Sequence, residues 1–325
     1  MTCSYAYTGK GTVLDKEAAL DYIRDGYLLG PRTVFKGRKK LSPPASPAVP
    51  VEASRLSSLI QQTLVASMGN LDGTLRAVMF SGGFDSMMIA CLAAQCGAQV
   101  TAVTVQFDEF NPLTVAGAVQ FAQKAGLDHL VLHVKAVEFL SAVEELAGLT
   151  DETVLDLDLA VVHAALKKYD VSIGGDVFIS GMGSDQWFGD EALKPRPGGL
   201  AARLDWALVD VDAHQRSAQA HSCNFVFPFL TGTMLTLAQS VPDELKKDKK
   251  LLREMAVANT FPQRGVRSEA QIPELMKHVL VKTYGPRAWP SPVAVPERNS
   301  RVDDKTLRQI IFGLWLEKAK NRLCL

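Results

Sequence analysis

The sequence has no cysteine pair, no excess of either charge, no long apolar run and no Walker-type phosphate loop. Its five cysteines are scattered at positions 3, 91, 96, 223 and 324, and none forms a CxxC pair. No histidine accompanies them at zinc-ligand spacing, so neither a disulfide framework nor a cysteine zinc site is expected. Cys91 and Cys96 fall in an apolar helical pattern and read as small core residues. Lys plus Arg and Asp plus Glu both number 35, for a net charge of +0. That balance gives no general attraction for nucleic acid or anionic lipid. No run approaches the roughly 20 apolar residues that cross a bilayer, so no membrane partner is expected. Met1 to Asp15 holds no long apolar stretch. The expectation is no signal peptide and a reduced, cytoplasmic location.

What is present is an ordinary globular composition, with 47% of the 325 residues hydrophobic. That length allows one large domain or two modest ones. Residues 16–29 carry apolar side chains at near-helical spacing, stopped by Gly30-Pro31. Leu41 to Pro50 holds four prolines and reads as a loop or linker. The division expected is therefore an N-terminal helix and linker over 1–50 and a main domain over 51–325. A helix is expected over 52–68. Strands are expected at 76–80, 99–107, 129–134 and 176–180. Helices are expected between them at 85–95, 113–125, 137–147 and 157–168. Beyond residue 200 the pattern is mostly helical, at 231–240, 249–259, 272–283 and 305–321. Strand–helix alternation predicts an α/β fold, a parallel Rossmann-like sheet with helices on both faces and a mostly helical C-terminal part. Ligands of such sheets sit at the carboxyl ends of the strands.

Two glycine-rich turns fall at such ends. The first is Ser81-Gly82-Gly83-Phe84-Asp85-Ser86. Its glycines let the backbone turn sharply and approach a ligand. A helix opens at once, so its free N–H groups and dipole face the turn and suit phosphate oxygens. Ser81 and Ser86 add hydroxyl donors. Asp85 conflicts with an anion unless a cation such as Mg²⁺ bridges carboxylate and phosphate. The second turn, Gly181-Met182-Gly183-Ser184-Asp185, repeats glycine, hydroxyl and acid at another strand end. The plainer reading of either turn is a capped helix start. Two on one sheet favour a two-sided nucleotide site. Trp187, Phe188 and His163 read as core residues, and the lysine run 246–250 as a solvated face. His129 reads as structural or near the nucleotide.

SGGFDS after a strand resembles the SGGxDS signature of the ATP pyrophosphatases, called PP-loop enzymes. Gly181 to Asp190 resembles the GEGADELFGG segment of asparagine synthetase C-terminal domains. Leu20 to Leu41 resembles the segment that joins the glutaminase domain to the synthetase domain. His221 with Pro228-Phe229-Leu230 matches HGxExRxPFLD in part, and Lys249 with Leu252-Arg253 matches KxxLR. These pieces follow the family's order over most of the chain. The resemblance implies ATP and Mg²⁺ as cofactors. A substrate carboxylate attacks the α-phosphorus, pyrophosphate leaves, and an amine then displaces AMP to give an amide. It also implies that the 81–86 loop clamps the phosphates, with Asp85 and Asp185 as metal ligands. Val105, Ser180 and Gly181 would contact the adenosine, and Gly183 and Ser184 would complete the second loop.

The sequence departs from that family in four respects: a missing domain, a lost pair of acids, a lost lysine and an altered acceptor segment. The glutaminase domain is absent from it, so the nitrogen is expected from solution, a partner or the substrate. Met182 stands where the family has an acid, or tyrosine in β-lactam synthetase, and methionine takes no proton. Asn224 replaces the second acid, which leaves Asp205, Asp210, Asp212 and His221 open as the base. Gln263 stands where a lysine is expected, so Arg264 or Arg267 is the candidate for the missing positive charge, beside Lys249. Val226 and Thr231 replace arginine and aspartate, which argues against aspartate as substrate. The leading expectation is an AMP-forming carbon–nitrogen ligase acting on an amino-acid-like small molecule. Its logic is nearest to that of β-lactam synthetase, with an internal amine. An intermolecular or ammonia-dependent ligase, a tRNA-modifying pyrophosphatase and a degenerate ATP-binding scaffold stay as alternatives. A homodimer is allowed.

Overall fold

In the computed structural model of the chain, the residues described are 6–8, 13–25, 28, 32–41, 52–108, 113–151, 157–169, 177–194, 199–261, 274–293 and 302–323. The first elements are a helix and the two short antiparallel strands that flank it in sequence: β1 (Ala6–Thr8), α1 (Lys16–Asp25) and β2 (Lys39–Leu41). There follow α2 (Ala53–Ser67), β3 (Leu75–Met79), α3 (Phe84–Gln95), β4 (Gln99–Phe107), α4 (Leu113–Lys124) and β5 (Asp128–Val134). The central part ends with α5 (Ala136–Leu149), α6 (Leu157–Lys168), β6 (Val177–Ser180), α7 (Ser184–Phe188), α8 (Gly199–Gln219) and β7 (Asn224–Val226). The remainder is helical: α9 (Gly232–Ser240), α10 (Asp243–Lys246), α11 (Lys250–Ala258), α12 (Glu274–Tyr284) and α13 (Asp304–Leu323).

Five strands form one parallel sheet in the order β5-β4-β3-β6-β7. The chain runs outward from β3 through β4 to β5, then crosses back to β6 and β7 on the other side. That reversal makes the gap between the carboxyl ends of β3 and β6 the topological switch point. Both glycine-rich turns open into it. The central strands bury both faces, with Ala77, Val78, Ala102, Val103, Phe178 and Ile179 almost fully enclosed. Parallel strands covered by helices need such uninterrupted apolar runs. Helix α3 is apolar all round, and Met87, Met88, Ile89, Ala90, Leu92 and Ala93 are buried.

The N-terminal helix shares this core. Tyr22 of α1 lies 5.8 Å from the Phe312 ring of α13, and Phe35 lies 5.6 Å from Trp315. Helix α1 ends at Asp25, and Leu28 lies outside it, so the helix expected to residue 29 is shorter. The β1–β2 pair, α8 and β7 are not expected from the sequence. A three-residue strand such as β7 is too short to show a period of two. In α8, Leu204, Ala207, Leu208 and Val211 do recur at helical spacing, so that signal was present. Among the described residues, no helix is long and apolar enough to cross a membrane.

Candidate functional site

The site begins where β3 ends. Phe80 donates its N–H to the Val103 carbonyl at 2.7 Å, and its own carbonyl accepts the Thr104 hydroxyl at 2.6 Å. With its proton spent there, Thr104 accepts from His129 Nε2 at 2.8 Å, which fixes the histidine tautomer. Burial holds the His129 ring below its ordinary pKa, consistent with a neutral ring. The residue before the loop is thus pinned at both ends.

The loop then turns at Gly82, whose φ of +75° is left-handed and favours glycine. Ser81 Oγ accepts the Gly83 N–H at 3.2 Å, and Ser86 Oγ donates to the Gly83 carbonyl at 3.1 Å. Helix α3 starts immediately, and no side chain caps its N-terminus. Its first N–H groups face the turn, which is the physical requirement for an anion cradle.

The second turn is pressed against the first. A Cβ on Gly181 would stand 2.8 Å from the Asp85 carbonyl carbon and 2.8 Å from the Ser86 nitrogen. Only glycine lets the two loops approach this closely. Gly183 precedes α7 in a left-handed conformation, φ +99°. Fully buried Ser184 donates its hydroxyl to Asp85 Oδ1 at 2.6 Å. Met182 packs partly buried against the core and donates its N–H to Ser180 Oγ at 3.2 Å.

A third segment completes the cluster. Lys249 Nζ donates to Asp85 Oδ1 at 2.8 Å and Oδ2 at 2.6 Å, and lies 2.8 Å from Asp185 Oδ1. Asp185 is half exposed, while Lys249 and Asp85 are largely enclosed. Burial pushes the Asp85 carboxyl above the usual carboxylate range. The Lys249 ammonium and the Ser184 hydroxyl oppose that rise, and the neighbouring charge of Asp185 adds to it. Two carboxylates from the two loops therefore converge on one positive atom. The same pair fits a shared divalent cation, since hard cations take carboxylate oxygens and Lys249 marks a point both can reach. Among the described residues, no group of three His, Cys, Asp or Glu side chains converges in this way.

The other expected residues are placed as follows. Val105 lies in β4 opposite Leu132, and Ser180 ends β6 opposite Met79. Asp210 is buried midway along α8, where His214 bonds to its backbone carbonyl. The bonds of Asp85, Asp185 and Lys249 do not include Asp210. His221 lies just before β7, at the amino edge of the sheet, with its ring 4.7 Å from that of His163. As a candidate base it is on the wrong side of the sheet, because the loops open at the carboxyl edge. Asp212 is engaged with Arg216 at 2.8 Å and is likewise no free base. Arg264, Arg267 and Gln263 lie outside the described residues, as does the side chain of Asp205. His163 is buried against Ser217, and Trp187 and Phe188 are buried, as core residues should be. The sequence pattern predicts Lys249 at the start of a helix. It stands instead in a left-handed turn just before α11.

Residues 73–208 match the family model described as asparagine synthase. A protein of Mycobacterium bovis, described provisionally as a glutamine-hydrolyzing asparagine synthetase, is 30% identical over 133 residues, 41% of this chain. A Mycobacterium tuberculosis protein of the same description matches equally. The aligned region covers 20% of the length of these relatives. Among solved structures, an NMN synthetase from Francisella tularensis is similar at 13% identity and a TM-score of 0.38. That likeness covers 85% of this chain and 97% of the other. A tRNA thiolase from Methanococcus maripaludis is similar at 13% identity and a TM-score of 0.39, covering 72% and 76%.

Proposed function

We propose that this chain is an AMP-forming carbon–nitrogen ligase that binds ATP on the loop from Ser81 to Ser86. The observation that carries this is the convergence of Asp85 and Asp185 on one cationic point, beside the uncapped N-terminus of α3. Two carboxylates facing each other across a switch point suit a phosphate site, because a shared cation and a lysine neutralise the leaving pyrophosphate. The match of residues 73–208 to asparagine synthase supports the same reading.

In the first step a substrate carboxylate oxygen attacks the α-phosphorus, and the bond to the bridging oxygen of pyrophosphate breaks. The N–H groups of α3 and the Ser81 hydroxyl hold the departing phosphates, while buried Ser86, whose proton goes to the Gly83 carbonyl, braces the turn. Asp85 and Asp185 would hold Mg²⁺, which when bound supplies positive charge to the phosphate oxygens. Lys249 adds its own charge at the same place. In the second step an amine attacks the acyl carbon, the bond to AMP breaks, and the nitrogen gives up its proton to water or to the departing AMP phosphate. Arg264 or Arg267 would steady the acyl-adenylate.

The acceptor is an amino-acid-like small molecule in this reading, and the amine belongs to the same molecule, giving a lactam. Met182 supports that preference, because the acid expected at this position is replaced by an apolar side chain packed on the core. The test is incubation with ATP, Mg²⁺ and a panel of β- and γ-amino acids, measuring AMP and pyrophosphate. Stoichiometric AMP and pyrophosphate are expected. ADP in place of AMP, or no turnover with any of the panel, overturns the reading.

A further inference from the structure

Lys249 reaches Asp85 and Asp185 from an unusual backbone. It and Asp248 are consecutive non-glycine residues in the left-handed region, at φ 51° ψ 28° and φ 55° ψ 35°. L-residues rarely adopt that conformation singly, and two in succession need an external hold. The structure supplies one. The Asp190 carboxylate, 58 residues earlier in sequence, accepts the Asp248 N–H at 2.9 Å. From the other side Arg253 Nε donates to the Asp248 carbonyl at 2.7 Å, and the Arg253 guanidinium lies 5.0 Å over the Phe84 ring. The turn is thus tied by Asp190 to the chain just after α7 and by Arg253 to the start of α3.

We infer that Asp190 is a positioning residue, which holds the left-handed turn at Asp248 and so aims the Lys249 ammonium at the phosphate site. No hydrogen bond or ion pair joins Asp190 to Asp85 or Asp185, so its effect on them runs through Lys249. An ordinary extended or helical turn at 248–249 would carry the lysine stem off in another direction, since φ sets where the side chain leaves the backbone. The segment that Asp190 ends resembles one that closes on glycine, which has no side chain to accept this bond. The role of the aimed ammonium as a phosphate partner rests on the proposed ligase reading. Its placement by Asp190 does not.

Two measurements separate these. The first is acetylation of individual lysines followed by mass spectrometry on the protein without nucleotide. Lys249, enclosed between two carboxylates, is expected to label slowly. Asp190→Ala raises its rate about fivefold or more, as the loss of a charge-assisted bond implies. Asp190→Asn, which keeps an acceptor oxygen, stays within about twofold of the wild type. Lys167, paired remotely with Glu145, reports that the fold is intact and does not change. Replacing Asp248 by glycine in the Asp190→Ala background restores protection in part, because glycine takes the left-handed conformation freely. The second is calorimetric binding of ATP with Mg²⁺. Asp190→Ala and Lys249→Ala each weaken it about fivefold, and the double variant is no worse than Lys249→Ala alone. Unchanged labelling of Lys249 in Asp190→Ala, or additive losses in the double variant, overturns the inference. No ATP binding by the wild type, together with the labelling change, sinks the ligase reading and leaves the positioning role standing.

Discussion

Gly181 and Asp85 touch across the switch point. A Cβ added at 181 would stand 2.8 Å from the Asp85 carbonyl carbon. Backbone on backbone cannot yield as a flexible side chain does. Gly181→Ala therefore forces the two loops apart. We expect a stability loss of about 1–3 kcal/mol, as for overpacking in a tight site. Pyrophosphate release should fall about tenfold or more, because phosphate clamping depends on sub-ångström placement. Thermal melting and a coupled pyrophosphate assay check the two halves separately.

Asp85→Asn keeps the shape of the side chain and removes its charge. Lys249 is then left with Asp185 alone. We expect pyrophosphate release to fall by at least about 100-fold, the scale seen when a preorganised transition-state group is removed. Near-ultraviolet circular dichroism should remain native. Activity equal to that of the wild type would remove Asp85 from the site.

Thr104 supports the loop from behind. Its hydroxyl serves the Phe80 carbonyl and His129 together. Thr104→Val keeps the volume and leaves both partners unsatisfied in the interior. A destabilisation of about 1–3 kcal/mol is expected from urea unfolding. His129→Gln, which retains a donor, should cost less.

Stability should depend on pH through His163. Burial, with the neighbouring His221 adding to it, pushes this ring down to about 4, against the opposing effect of Glu145. The unfolded chain binds a proton near the ordinary value of about 6.5, while the folded state resists it. Unfolding therefore takes up protons between those values, and stability falls as pH drops through that window. The loss reaches about 3 kcal/mol at most near pH 4. Urea titrations across the range should show a flatter slope in His163→Gln. An equal slope in both proteins would rule out His163 as the source.

Much of the two glycine-rich turns was legible because their signals are local. A short apolar run, two glycines and a serine specify a buried strand, a tight turn and a helix start within about ten residues. The resemblance of Gly181 to Asp190 to a second such loop needed no knowledge of the fold. The candidate base was less legible. His221 and Asp212 were open as bases, and the sheet turns one to its amino edge and gives the other to Arg216. Helix α8 was missed although its apolar spacing was present.

The sequence by itself determined the alternation of strands and helices and the chemistry of the two turns. Hydrophobic period and turn residues act through neighbours in the chain. Tertiary structure alone decided that Asp85, Asp185 and Lys249 meet at one point. Those residues come from segments 64 to 164 positions apart, and no local preference links them. Strand order places β6 beside β3, the absence of a Cβ at Gly181 lets the loops touch, and Asp190 holds the left-handed turn that delivers the lysine.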